Sequence, residues 1–181
     1  QLPSAWLLLV QLLILVLSVY TNARRSYQIL TWLLGVSALL IIAKVIRQTP
    51  TFTLLGLTFV TGAFVLSFLM LIGFHSVTLQ IFAHSFEAAA YFCAAYGLIR
   101  YMFADRYLTK DELFAAGAVF TLIAWGFAFL YSICQLLVPQ SFQNPNHVAD
   151  YQSWLDLLFI SFSLQSATGL SDLIPVAPAA R

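Results

Sequence analysis

The chain has 181 residues, 61% hydrophobic and 8% charged, with a mean hydropathy of +0.90, whereas soluble domains carry about 25% charged residues. Eight Lys and Arg against seven Asp and Glu leave a net charge of +1, so no bulk attraction to nucleic acid or acidic partners is implied. These proportions exclude an ordinary soluble domain and predict an all-α integral membrane protein in a lipid bilayer.

Leu2 to Tyr20 is the first apolar run. It exceeds the apolar core of a removable signal peptide, about 7 to 15 residues, and no convincing small-residue cleavage site follows it, so it is expected to span. The polar bridge Thr21 to Ser26, with Arg24 and Arg25, leads to a second run, Tyr27 to Ile46, whose Lys44, with Arg47 just beyond, can snorkel to headgroups. Pro50 disfavours helix at Thr49 and marks a turn. The third run, Phe52 to Phe74, is rich in Gly56, Thr58, Thr61, Gly62 and Ser67. Such small residues let membrane helices approach closely, so this run is expected to be densely packed.

His75-Ser76 makes the next turn, and Val77 to Phe103 forms the fourth run. It holds the only acid within the apolar body of a span, Glu87, with His84 three residues earlier on the same helical face. Burying a charge there costs several kcal/mol unless it is paired, so His84 and Glu87 are a candidate proton relay or metal site; the alternative is a hydrogen-bonded packing pair, with Tyr91 or Lys44 as partner. Two ligands are too few for a closed metal site, and none is expected. Thr109-Lys-Asp-Glu112 reads as a capping box opening the fifth run, Leu113 to Val138, which Pro139 helps to end. Cys93 and Cys134 lie inside apolar runs and read as small buried hydrophobes. The aromatic stretch Trp125 to Phe129 with Tyr131 reads as core or lipid-facing packing, and Trp6, Trp32 and Trp154 as interfacial anchors.

After a polar loop, Ser141 to Tyr151, comes Trp154 to Leu164, an apolar helical run too short to cross a bilayer, which takes about 20 residues. Small and polar residues follow at Gln165 to Asp172, then Pro175 and Pro178. Non-helical backbone at membrane depth is tolerated only where protein or a water-filled cavity covers it, so this is the pattern of a re-entrant pore segment. The arrangement is five spans plus a pore helix and filter-like loop, organised as a four-helix transmembrane domain, 1–107, and a pore-type module, 108–181. Lys44, Arg47, Arg100, Arg106 and Lys110 outnumber Arg24 and Arg25, which predicts a cytoplasmic N-terminus and an outward filter mouth.

The run Phe162-Ser-Leu-Gln-Ser-Ala-Thr-Gly-Leu-Ser-Asp-Leu-Ile-Pro-Val-Ala-Pro-Ala-Ala-Arg181 resembles the pore loop of bacterial two-transmembrane-type potassium channels, typically F-T-T-L-T-T-V-G-Y-G-D-I-x-P-x-x-P-x-A-R. Aligned on Asp172 and Pro175, Thr168-Gly169 stands at V-G, Leu170 at the tyrosine and Ser171 at the second glycine. The resemblance covers roughly Leu108 to Arg181. It implies a homotetramer in a bacterial inner (plasma) membrane. Monovalent cations, K⁺ or Na⁺, would pass through Ala167, Thr168, Gly169, Leu170, Ser171 and Asp172, whose backbone carbonyls replace the hydration shell.

The departures matter. Ala167 lacks the threonine hydroxyl of the innermost ion site, Leu170 lacks the phenol that tethers the filter, and Ser171 replaces a glycine. A weakly selective cation path and a closed, non-conducting relic are both compatible with that. Family members continue past the arginine into an inner helix, so the chain is expected to be a fragment, or else to dock beside other subunits; Gln1 likewise points to a missing N-terminal start. Only Arg100 sits near the end of the fourth run, against the repeated arginines a voltage sensor needs. The rivals to a conducting channel are a non-conducting subunit of a larger membrane complex, and a small transporter or membrane enzyme using His84 and Glu87.

Overall fold

A computed structural model describes residues 3–21, 53–73, 76–103, 110–145 and 149–181. Five α-helices dominate them: α1 Pro3–Thr21, α2 Thr53–Ile72, α3 Val77–Met102, α4 Lys110–Leu137 and α5 Trp154–Gln165. Two short strands, β1 Phe142–Gln143 and β2 Ile174–Pro175, and a 3₁₀ turn at Pro178–Ala180 complete them. The second apolar run, Tyr27 to Ile46, and Thr109 of the expected capping box lie outside the described residues.

Local chemistry sets the helix ends. The Ser76 hydroxyl accepts from the Leu79 amide at 3.2 Å and starts α3. Ser153 does the same for α5 through the Asp156 amide, and Asp156 places a carboxylate at the positive end of the helix dipole. One feature of α4 is not local. Asp111, buried at its first turn, accepts from the Ser4 amide at 3.3 Å, the Ser4 hydroxyl at 2.9 Å and the Tyr101 hydroxyl at 3.2 Å. It therefore satisfies a free donor at the start of α1 from another helix.

Those bonds also fix direction. Ser4 meets Asp111 and Leu8 meets Gly117, so α1 runs parallel to α4. Tyr101 meets Asp111 while His84 meets Phe129, so α3 runs antiparallel to α4. The core joins Leu7 and Ile14 of α1, Val60 and Ala63 of α2, Tyr91, Ala94 and Leu98 of α3, Leu122 and Trp125 of α4, and Leu158 of α5. It is continuous across the expected boundary at 107/108.

Two expectations change. α4 alone among the described helices is long and apolar enough to cross a membrane, and half of its apolar window is buried. The apolar stretches of α1 and α2, Ser4–Val19 and Leu54–Met70, are shorter, while Gln80, His84, Ser85 and Glu87 interrupt α3. The dense packing expected of α2 is confined to one side, with Gly56, Val60, Ala63 and Ser67 buried and Phe59 and Gly62 against Phe86 of α3. Leu54, at 81% exposed, with Leu55, Val65 and Ile72, covers the other faces.

Candidate functional site

The C-terminal excursion is built on α4. After that helix the chain turns through Gln140, φ 61°, whose side-chain amide donates to Asp150 Oδ1 at 2.9 Å. It then lays down β1. Gln152 and Gln135 pair reciprocally: the Gln152 amide donates to Gln135 Oε1 at 2.9 Å and Gln135 Nε2 to the Gln152 carbonyl at 3.2 Å. Both are buried, so the start of α5 is fastened beside the end of α4 by bonds that water does not weaken.

From there α5 descends antiparallel to α4. Trp154 packs on Trp125 and Phe129, the Ser161 hydroxyl donates to the Ala124 carbonyl at 2.7 Å, and Gln165 Nε2 donates to the Phe120 carbonyl at 3.1 Å. The helix stops in a Schellman motif. The Ala167 amide donates to the Leu164 carbonyl at 3.1 Å and the Thr168 amide to the Ser163 carbonyl at 3.0 Å, with Ala167 at φ 56°.

Non-helical backbone then returns to β2, which pairs antiparallel with β1, Phe142 opposite Pro175 and Gln143 opposite Ile174. The Val176 amide donates to the Ser141 carbonyl at 2.9 Å. Phe142, Leu157, Ile160 and Leu173 close a second small core beneath this strand pair, with Tyr131 and Cys134 against it. The excursion therefore leaves and rejoins the fold at the same end of α4.

Four of the six filter-like residues carry no side-chain bond. Ala167, Thr168, Gly169, Leu170 and Asp172 are exposed, Leu170 to 72%, and Ser171 is half-buried. Gly169 adopts φ 63° with open space around it, a conformation that favours glycine. The Thr168 hydroxyl is turned back, 3.0 Å from the Ser166 hydroxyl and donating to the Ser163 carbonyl at 3.3 Å. Ser171 Oγ accepts from the Leu173 amide at 3.1 Å, so the local cap comes from Ser171 and leaves the Asp172 carboxylate to solvent. Arg181 Nε donates to the Pro175 carbonyl at 3.4 Å, folding the tail onto β2.

The other candidate lies on α3. His84 Nδ1 is 2.9 Å from Glu87 Oε2, and Ser67 Oγ of α2 donates to Glu87 Oε1 at 3.2 Å. The cross-helix hydrogen bond is therefore to Ser67. Tyr91 is instead stacked against Phe129 and tilted on Trp125, and Lys44 lies outside the described residues. The His84 ring lies 5.6 Å from that of Phe129. Trp154, expected at an interface, is half-buried in this aromatic group because it opens the helix that packs there; Trp6 is 67% exposed. Cys93 and Cys134 are free thiols, and among the described residues no group of three or more His, Cys, Asp or Glu is placed to hold a metal ion.

The Gln135–Gln152 pair, Ser161 and Gln165 were not legible as site-builders. For Gln135 and Ser161 the one signal is polarity inside apolar helical runs, where an unpaired amide or hydroxyl is costly; Gln152 and Gln165 lie outside such runs and carry none. Compared with family models, curated proteins and solved structures, the chain matches none.

Proposed function

We propose that the chain is a pore-loop membrane protein of the potassium-channel-like kind. Four copies set Ala167 to Asp172 around one axis and pass K⁺ or Na⁺ passively. The N-terminus and the Ser4–Asp111 end face the cytoplasm of a bacterial cell, and the β1–β2 end faces outward. The observation that carries this reading is the out-and-back path: a 12-residue helix runs along α4 and an open segment returns to pair beside its own origin. A helix of that length is about 18 Å long, short of the roughly 30 Å hydrocarbon core. The exposure of Asp172 on this loop supports a mouth that concentrates cations.

One observation favours a second reading, a non-conducting subunit that keeps the pore-loop shape within a larger complex. The Thr168 hydroxyl and the Thr168 and Gly169 amides all close onto the Ser163 carbonyl, so the loop satisfies itself. Purified protein in K⁺-loaded liposomes separates the two. Cation efflux that Asp172→Asn reduces supports conduction; tight vesicles at every K⁺ and Na⁺ gradient would sink it. A four-fold assembly with Gly169 near the axis belongs to the channel, and a single copy among unlike chains belongs to the subunit. Lost turnover in Glu87→Gln with assembly intact would instead point to a transporter or enzyme centred on α3.

A further inference from the structure

The His84–Glu87 pair is absorbed by neither reading of the pore loop. We propose that it is a proton-binding site, loaded from the β1–β2 side of the membrane, whose occupancy controls how α2 holds to α3 and, through Phe129 and Trp154, how the pore helix α5 is seated. This rests on the pore-loop reading only for its effect on flux.

The chemistry follows from the contacts. With one proton between them, held as Nδ1–H donating to a carboxylate, the two side chains carry a net charge of −1. A second proton, taken from water onto His84 Nε2, brings the pair to zero. An apolar setting penalises the charged state, so the −1 form depends on every donor it can recruit. The Ser67 hydroxyl at 3.2 Å is that donor, and it comes from α2. Neutralising the pair weakens the need for it. Proton uptake therefore loosens a polar link between two helices that otherwise meet through apolar contacts such as Phe59 and Gly62 with Phe86.

Nothing else that titrates faces the pair among the described residues. On α3 itself there are Glu87 and, one turn on, Tyr91; α2 has no ionisable residue between Thr53 and Ile72. α4 faces the imidazole with Phe129, while its Tyr131 and Cys134 turn to the second core. α5 contributes Trp154, 5.8 Å from Phe129. The side chains of His84 and Glu87 are 23% and 16% exposed, open enough to exchange a proton. His84 lies seven residues into α3, roughly 10 Å from the end that adjoins the β1–β2 side.

The ring path gives the site reach. His84 touches Phe129, Phe129 touches Trp154, and Trp154 is the first residue of α5. A shift of α3 is passed to the pore helix by packed rings, which do not compress.

Tryptophan emission tests this in the full chain in nanodiscs, with Trp6→Phe and Trp32→Phe leaving Trp125 and Trp154 as reporters. The proposal expects the emission to change with pH, and the change to be lost in His84→Gln and in Glu87→Gln. Ser67→Ala should keep proton uptake by the pair, read by the His84 imidazole resonances, but reduce the emission change. An emission that is flat with pH, or that titrates unchanged in His84→Gln, overturns it; circular dichroism identifies a variant that has not folded, and the wild-type titration then decides. In liposomes, an external pH step should alter cation flux in wild type and not in His84→Gln. Vesicles tight at every pH with the emission titration intact would remove the pore reading and leave the proton site standing.

Discussion

Ala167 and Gly169 both place their backbone in the left-handed region, at φ 56° and 63°, but only one is a glycine. An L-residue there costs about 1–2 kcal/mol, while glycine loses about 0.5–1 kcal/mol more on folding through its freer unfolded chain. Relief exceeds the entropic cost, so Ala167→Gly is expected to stabilise the protein by up to about 1 kcal/mol. Gly169→Ala should destabilise by about 1 kcal/mol, through the backbone alone, because its Cβ would meet nothing within 4 Å. Thermal unfolding in detergent measures both. Equal and opposite shifts would show that the Schellman turn, and not contact with a neighbour, sets the loop's shape.

At the scale of elements, two glycines fix how closely helices approach. A Cβ on Gly62 of α2 would run into Phe86 Cδ1 and lie 3.3 Å from its Cγ, near the root of the ring; one on Gly126 of α4 would lie 2.9 Å from Phe92 Cζ, at its far end. A ring swings at its tip more readily than at its base. Gly62→Ala is therefore expected to cost about 2–3 kcal/mol and Gly126→Ala about 1 kcal/mol, with Phe86→Leu rescuing the first. Equal losses in a denaturation series would contradict this. These elements were readable to different degrees. The apolar runs predict Val77 to Phe103 where α3 ends at Met102, and Trp154 to Leu164 where α5 ends at Gln165, because a long apolar run is a local signal. The spacing marks Asp111 only as a member of a capping box. Its partner Ser4 is 107 positions away, and no spacing rule reaches that far. Strands of two residues, β1 and β2, are too short to show a period of two. The His84–Glu87 contact followed from i,i+3 geometry, whereas Ser67 depended on how two helices dock.

For the whole molecule, the packing directions define two ends. Ser4, Arg100 and Lys110 gather at one, with Asp111 bound there; Asn144, Asp156 and Asp172 gather at the other. Among the described residues the β1–β2 end carries an acidic excess, Asp150, Asp156 and Asp172 against Arg181, whereas at the other end Arg100 and Lys110 stand beside Asp111 and Glu112. In a bilayer the bases decide which side each loop meets, and Arg100 and Lys110 against Arg181 place the Ser4–Asp111 end inside. Single cysteines placed at Asn144 and Asp172, in a background with Cys93 and Cys134 replaced by Ala, should react with an impermeant maleimide from the outside of intact cells. A cysteine at Phe103 should react only after permeabilisation. Labelling of Asn144→Cys and Asp172→Cys from opposite sides would refute the out-and-back path, whatever the flux assays give.

The return segment is held at both ends by groups outside it. Before it, Gln165 is fastened to the Phe120 backbone, and after it the β1–β2 pairing closes. Neither mooring uses a side chain from Thr168 to Asp172, so the loop can change its chemistry residue by residue while its ends stay fixed. Selection on what the loop meets is thereby separable from selection on the framework that presents it.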